Sequence, residues 1–192
     1  MSWDAIKNEM YGKQVILFGE PFSGKTTFAM RLAKEYTNAT LLKVDKNYNI
    51  EEYEFNGIVY EIYSPKQLKF LIENKLEEKD DHLIIIDSLT SIDSFFVPED
   101  PLKTDPSMFN KRASFYDRIL QQLSKFKKKG TVLIVCHEKI ADFKTREVAP
   151  RVNRIVLRHC DAVYRLTVEN GIRKLKKVLE RKVVKDPKIV FE

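Results

Sequence analysis

The sequence predicts an α/β domain in which a mainly parallel, twisted β-sheet carries helices on both faces and ends in a C-terminal β-hairpin. Short apolar runs of strand length alternate with longer segments whose apolar residues recur at helical spacing, which is typical of a parallel sheet. Several runs are apolar at every position, as expected for strands that are buried on both faces. The dipeptide Asn170-Gly171 lies between two β-rich segments and favours a hairpin turn. All 192 residues are expected to form one domain.

The predicted elements follow one another in a regular order. A short helix over residues 2–11, with Ser2 as its N-cap, precedes the first strand. The predicted central strands, rich in aliphatic and β-branched residues, are 14–18, 40–45, 57–63, 82–87 and 131–136. The helices between them are predicted over 26–36, 65–78 and 108–128. Polar loops are predicted over 98–107 and 138–153, hairpin strands over 161–168 and 173–184, and an edge strand over 188–191.

The segment from Gly19 to Thr26 follows a specific pattern: a glycine, four free positions, a second glycine, a lysine and a threonine. A strand enters this segment and a helix leaves it, which is the context that a phosphate-binding loop requires. The N-terminus of such a helix offers unpaired N–H groups to a phosphate, and the glycines let the backbone bend around it. The sequence therefore predicts an ATP site that is formed by Gly19, Glu20, Pro21, Phe22, Ser23, Gly24, Lys25, Thr26 and Thr27.

Further site residues are predicted where the parallel strands end. Lys25 is expected to reach the β- and γ-phosphates, and the Thr26 hydroxyl to hold Mg²⁺. Asp87 closes a buried apolar run and is the second predicted Mg²⁺ residue. Because ligands of parallel sheets bind beyond the carboxyl ends of the strands, Asp45 and His137 are expected at the same edge.

Composition and charge argue against a membrane or secreted protein and favour a polyanionic partner. No run of eighteen apolar residues is present, and the N-terminus lacks the apolar core of a signal peptide, so a cytoplasmic protein without a membrane partner is expected. Cys136 and Cys160 lie in apolar surroundings and are expected to be buried thiols. Residues 138–192 hold 15 basic and 8 acidic residues, whereas the remainder holds 19 basic and 20 acidic residues. This basic final third favours a polyanionic partner, with nucleic acid first, and the alternative is an ordinary solvated lysine-rich surface.

The second nucleotide motif resembles that of a known family. Residues 83–91, Leu-Ile-Ile-Ile-Asp-Ser-Leu-Thr-Ser, are similar to the motif of RecA/RadA recombinase cores, which carry Asp-Ser where AAA+ motors carry Asp-Glu. Residues 110–112, which open a long helix, and the strand 130–137 are similar to the stretch that ends in the family's γ-phosphate-sensing Asn-Gln. The likeness covers most of residues 13–184. It is strongest to an archaeal RadA paralogue that lacks the N-terminal DNA-binding domain.

The resemblance implies an ATP-dependent DNA-binding protein of homologous recombination and DNA repair. It implies that Lys25, Asp87 and His137 are catalytic, with His137 in place of the sensor glutamine. Two loops that face single-stranded DNA in the family correspond to residues 96–112 and 138–153. The second loop and the residue that follows it hold basic residues and an aromatic one, which suit backbone tracking and base stacking: Lys139, Phe143, Lys144, Arg146, Arg151 and Arg154. A recombinase or paralogue subunit is the implied protein partner, and Arg181 and Lys182 are the implied charges at a neighbour's phosphates.

One position departs from the family. Asn47 stands where the family has its water-activating glutamate, and an amide cannot take a proton from water. Hydrolysis is therefore expected to be slow or stimulated by a partner, unless Asp45, Glu51 or Glu52 substitutes.

Two other functions remain open from the sequence. A small P-loop kinase needs an acceptor-binding Asp-Arg pair, and Asp117-Arg118 offers one, although its place in a helical stripe favours a surface ion pair. A scaffold that binds ATP without hydrolysing it is consistent with Asn47.

Overall fold

The protein is described here by a computed structural model, which covers residues 2–96, 107–142, 147–152 and 154–180. Most of the predicted loop 98–107 and the whole predicted edge strand 188–191 lie outside the described residues. The same holds for the side chains of Phe143, Lys144, Arg146, Arg181 and Lys182.

The elements alternate as the sequence predicts. The strands are β1 (Gln14–Gly19), β2 (Asn38–Lys43), β3 (Ile58–Glu61), β4 (His82–Asp87), β5 (Gly130–Asp142), β6 (Glu147–Pro150), β7 (Ala162–Glu169) and β8 (Ile172–Glu180). The helices are α1 (Trp3–Met10), α2 (Lys25–Ala33), α3 (Pro65–Asn74), α4 (Leu89–Ile92), α5 (Ser107–Leu123) and α6 (Arg154–Arg158). Ser2 caps α1, since its hydroxyl accepts a hydrogen bond from the Ala5 amide at 3.2 Å.

The strands form a mainly parallel sheet in the order β3-β2-β4-β5-β1-β7-β8, with β6 paired to β5. The pairings among β1 to β5, and that of β1 with β7, are parallel. Strand β6 is antiparallel to β5, and the last two strands form the antiparallel hairpin β7–β8. Asn170 and Gly171 both adopt positive φ in the turn of this hairpin, as a tight two-residue turn requires. The predicted fold class is confirmed.

The core consists of two layers, one on each face of the sheet. In β1, Ile16 and Phe18 pack into the layer beneath α3 and α5. The alternate residues Val15 and Leu17 pack into the layer beneath α1 and α2. This division explains why the central strands are apolar at every position. Cys136 and Cys160 are both buried free thiols, as predicted.

Two predicted helix ends are wrong, and one short helix was not predicted. Helix α3 ends at Asn74 rather than at residue 78, because the amides of Lys75 and Leu76 both bond to the Leu71 carbonyl and turn the chain. The predicted helix 108–128 ends at Leu123 and is followed by a short 3₁₀ helix, Phe126–Lys129, which buries Phe126 against the core. The sequence also gave no sign of α6, which is only five residues long.

The predicted loop 138–153 is largely regular structure. Strand β5 continues past the sheet to Asp142 and pairs antiparallel with β6, so that Glu138 lies opposite Pro150. We call this extension, residues 138–150, the β5–β6 hairpin. Among the helices in the described ranges, none has the length and hydrophobicity that a bilayer crossing requires.

Candidate nucleotide-binding site

The phosphate-loop motif folds as a turn between β1 and α2. Gly24 is the N-cap residue of α2 and has a left-handed backbone, with φ of 90°. A glycine is needed there because other residues strain at positive φ. No side chain caps the helix N-terminus, so its amide groups face the cavity described below. Gly19 is needed for space, since a Cβ at that position would lie 2.3 Å from the Leu166 carbonyl oxygen.

Lys25 is buried within the loop that it belongs to. Its ammonium donates hydrogen bonds to the carbonyl oxygens of Gly19, at 3.0 Å, and Glu20, at 2.5 Å. Burial lowers the pKa of Lys25, while the charge of Asp87 opposes the shift. The ammonium is thus held by weak neutral partners that a phosphate group can replace.

Thr26 and Asp87 meet across the site. The Thr26 hydroxyl donates a hydrogen bond of 2.7 Å to Oδ2 of Asp87, which is almost fully buried at the end of β4. Burial raises the pKa of the Asp87 carboxyl to about 6, and the hydrogen bond from Thr26 opposes this shift. A hydroxyl and a single carboxylate at this distance fit Mg²⁺, which proteins hold through few direct ligands, phosphate oxygens and water.

The neighbouring strand ends bring two more predicted residues to this edge. The amides of Val44 and Asp45 both bond to the Asp87 carbonyl, at 2.7 and 3.0 Å, which fixes Asp45 beside β4. The backbone of His137 is fixed by a hydrogen bond of 2.9 Å, which its amide donates to the Thr90 hydroxyl. Burial and the charge of Lys25 lower the pKa of His137. A neutral imidazole retains one N–H donor for a phosphate oxygen.

These residues surround a cavity of about 960 Å³, which we call the phosphate cavity. Six of its lining residues come from the phosphate loop: Pro21, Phe22, Gly24, Lys25, Thr26 and Thr27. Asp45, Asp87 and His137 complete the wall that the sequence predicts. Gly19, Glu20 and Ser23 do not line the cavity. Their carbonyl oxygens accept hydrogen bonds instead, those of Gly19 and Glu20 from Lys25 and that of Ser23 from Arg173. Phe22 stands fully exposed at the tip of the loop.

The structure distinguishes among the three carboxylates that the sequence offers for activating water, because only two of them line the phosphate cavity. Asp45 and Glu52 line the phosphate cavity together with Asn47, whereas Glu51 does not. Asp45 is the better fixed of the two, because its backbone is bonded to Asp87 and its carboxylate accepts the Asn47 amide at 2.9 Å.

The sequence reasoning missed several residues that line the cavity, among them Tyr48 and Arg173. Tyr48 buries its hydroxyl beside Asp87, and burial together with that carboxylate raises the pKa of Tyr48. Arg173 reaches the loop from β8, where its Nε donates to the Ser23 carbonyl at 3.3 Å. Arg173 belongs to no local motif in the sequence. Its position just after the Asn170-Gly171 turn was the one signal that could have suggested a role for it.

The Asp-Arg pair considered for a kinase lies elsewhere. Asp117 is paired with His159 at 2.8 Å, and Arg118 with Glu73 at 2.6 Å. Neither residue lines the phosphate cavity, and Arg118 forms the expected surface ion pair, with Glu73.

Comparison with known proteins defines the family. The family model described as ATPase family associated with various cellular activities (AAA) matches residues 15–160. The chain belongs to this AAA ATPase family. The matched range begins in β1 and includes the phosphate loop, Asp87 and His137.

A solved structure supports the same assignment at the level of the fold. The crystal structure of the RadB recombinase aligns with 90% of this chain and 83% of its own, with a TM-score of 0.63 and 16% sequence identity. No curated protein sequence matches the chain significantly. The AAA ATPase described here therefore has a RecA/RadA-like core, which confirms the resemblance seen in the sequence.

Proposed function

We propose that this AAA ATPase binds ATP with Mg²⁺, hydrolyses it slowly or with help from a partner, and binds single-stranded DNA to assist homologous recombination and DNA repair. The observation that carries the proposal is the direct backbone link between His137, in the phosphate cavity, and the exposed basic residues Lys139 and Arg151.

The nucleotide part of the proposal assigns a task to each side chain. Lys25 exchanges its two carbonyl partners for β- and γ-phosphate oxygens. Thr26 and Asp87 hold Mg²⁺, which offsets the phosphate charge when it is bound. His137 donates to the γ-phosphate.

Slow turnover follows from the residues at two positions. Ser88 follows Asp87 where the sequence comparison with AAA+ motors expects a glutamate, and Asn47 stands where RecA/RadA cores have theirs. Neither side chain is a base. The cavity carboxylates left for this task are Asp45 and Glu52.

The DNA part of the proposal is supported by how the β5–β6 hairpin is attached. The His137 carbonyl accepts the Arg151 amide at 2.7 Å, and Lys139 follows His137 by two residues on β5. Lys139, Arg151 and Arg154 are exposed. A phosphate that moves His137 would therefore move basic groups that suit a DNA backbone. The described structural neighbour is itself a recombinase, which favours residues 96–112 and 138–153 as the DNA-facing segments and a recombinase subunit as partner.

The test is single-stranded DNA binding, measured by fluorescence anisotropy over a range of salt concentrations, with and without Mg·ATP. We expect affinity to fall steeply as salt increases, and to respond to ATP. The double variant Lys139→Glu/Arg151→Glu is expected to weaken binding at least tenfold and to reduce the salt dependence.

The matched control is Lys66→Glu, a charge reversal at an exposed position of α3, which is expected to bind as the wild type does. DNA binding that is absent, independent of salt or equally weakened by the control would contradict the DNA part. The nucleotide part would stand as long as Mg·ATP is retained in equilibrium dialysis.

A further inference from the structure

A second cavity, of about 580 Å³, adjoins the phosphate loop on the side of the C-terminal hairpin. We call it the hairpin cavity. Its walls come from α1, α2, β7 and β8. The aromatic rings of Trp3 and Phe28 meet in its wall, with centroids 5.1 Å apart and ring planes tilted by 54°, and Leu166 and Leu175 add aliphatic surface. The charged residues Glu9, Arg31 and Lys177 also line this cavity.

The two cavities share three residues, which are Gly24, Thr27 and Arg173. Gly24 and Thr27 belong to the N-terminal turn of α2, where phosphate groups are held. The Arg173 guanidinium lies against Gly24, so close that a Cβ on this glycine would be 2.5 Å from Nε. The hairpin cavity therefore adjoins the phosphate cavity, and the Arg173 guanidinium lies between the two.

The positions of the two cavities along the sheet set the direction in which a bound nucleotide would lie. Asp87 and His137 lie on β4 and β5, on one side of β1, whereas the hairpin cavity lies by β7 and β8, on the other side. A triphosphate whose γ end points to Asp87 carries its nucleoside away from β4. An apolar, aromatic-lined space suits a base, which is planar and has an unsubstituted π face.

We propose that the hairpin cavity holds the nucleoside of the bound nucleotide, with Trp3 against the base and Arg173 at the junction of ribose and phosphate. This inference rests on the proposed nucleotide function. It makes α1 and β8 parts of the nucleotide site.

The chain contains a single tryptophan, so Trp3 reports on this cavity alone. Tryptophan fluorescence is recorded while the protein is titrated with Mg·ATP and, separately, with magnesium tripolyphosphate, which has the phosphates but no nucleoside. We expect a saturable change in Trp3 emission with Mg·ATP and little change with tripolyphosphate, although both ligands bind.

Variants then locate the contacts, with affinities measured by equilibrium dialysis of labelled ligand. Trp3→Leu is expected to raise the Kd for Mg·ATP about tenfold and to leave the Kd for tripolyphosphate unchanged, because base stacking is lost. Arg173→Ala is expected to raise both values about tenfold, because a charge-assisted hydrogen bond is lost. Lys174→Ala, on the opposite face of the same strand and paired with Glu169, is the matched control and is expected to change neither.

The outcomes separate this inference from the proposed function. If Mg·ATP binds but Trp3 emission stays constant and both variants bind normally, the hairpin cavity is not the nucleoside site, and the nucleotide function stands. Equal emission changes with both ligands would also overturn the inference, since they would show loop movement rather than a nucleoside. If the wild-type protein retains neither ligand, the proposed function and this inference fall together.

Discussion

At the scale of single residues, Asp87 combines a necessary charge with a costly position. It is 2% exposed, and burial raises the pKa of its carboxyl to about 6, whereas an unfolded chain gives it an ordinary value near 4. Between these values the folded protein binds the extra proton. Stability must therefore fall as the pH rises from about 4 to 6, and the cost persists at higher pH.

Asp87→Asn is accordingly expected to stabilise the nucleotide-free protein at pH 7.5 by on the order of 1–3 kcal/mol, because the amide is neutral and still accepts from Thr26. Urea denaturation in the presence of a chelator measures the free energy of unfolding. The gain should shrink towards zero at pH 4, where the wild-type carboxyl is protonated. A variant that is less stable than the wild type at pH 7.5 would show that burial of Asp87 is compensated in a way that its contacts do not reveal.

Asp45 is the carboxylate that the structure favours for activating water, because its backbone is bonded to Asp87 and Asn47 is not a base. We expect Asp45→Asn to lower kcat for ATP by about 10²–10⁴-fold, the usual contribution of a general base, with little change in the Kd for ATP. Single-turnover hydrolysis of labelled ATP gives the necessary sensitivity.

Glu51→Gln is the control for that measurement, since Glu51 lies on the same segment but does not line the phosphate cavity. It is expected to hydrolyse ATP at the wild-type rate. A loss of turnover in Glu52→Gln rather than in Asp45→Asn would assign the task to Glu52 instead.

At the scale of elements, the contact between β4 and β5 depends on a glycine at the start of β5. A Cβ on Gly130 would lie 1.9 Å from the His82 carbonyl oxygen, which is backbone and cannot move aside. We expect Gly130→Ala to lower the free energy of unfolding by about 2–3 kcal/mol, since the two strands must separate to accept the methyl group. Chemical denaturation monitored by circular dichroism is the measurement.

Gly171→Ala is the control, because it adds the same methyl group at a glycine that is not crowded. A Cβ there meets no atom within 4 Å, but φ is +75°, so the cost is limited to backbone strain of about 1 kcal/mol. Similar losses in the two variants would mean that the strands relax around residue 130 more easily than the backbone contact suggests.

At the scale of the whole molecule, ligand binding and folding are coupled, because the phosphate cavity joins residues from the phosphate loop, α2, β2, β4, β5 and β8. A ligand present at one hundred times its Kd stabilises the folded state by about 2.7 kcal/mol. For a chain of this size, we expect Mg·ATP to raise Tm by about 5–10 °C. Lys25→Ala should remain folded and show almost no shift in differential scanning fluorimetry, and an equal shift in this variant would place the bound nucleotide away from the phosphate loop.

Much of the site was predictable because its chemistry is local in the chain. The phosphate loop needs only a strand, a turn of fixed length and a helix, so Gly19 to Thr26 could be assigned from spacing. Asp87 and His137 follow apolar runs, and parallel strands bring their carboxyl ends to one edge. The sheet could be predicted for the same reason, since strands that are buried on both faces need helices on each side.

The remaining features depend on contacts between distant segments. Arg173 meets Ser23 across 150 residues only because the β7–β8 hairpin folds back along β1. The sequence predicts a loop at the β5–β6 hairpin because the polar residues there show no periodicity, whereas the pairing of the two strands is a tertiary feature. The choice of Asp45 over Glu52 likewise required the backbone bonds to Asp87.

By itself, the sequence determined the fold class, the phosphate loop and the residues at the ends of the central strands, because hydrophobic periodicity and a short motif encode them directly. Only the tertiary structure decided which carboxylates line the phosphate cavity, how His137 is joined to the β5–β6 hairpin and Arg151, and that α1 and β8 contribute to a second cavity beside the phosphate loop. Those features arise from packing between elements that are far apart in the chain, and packing geometry leaves no local pattern to read.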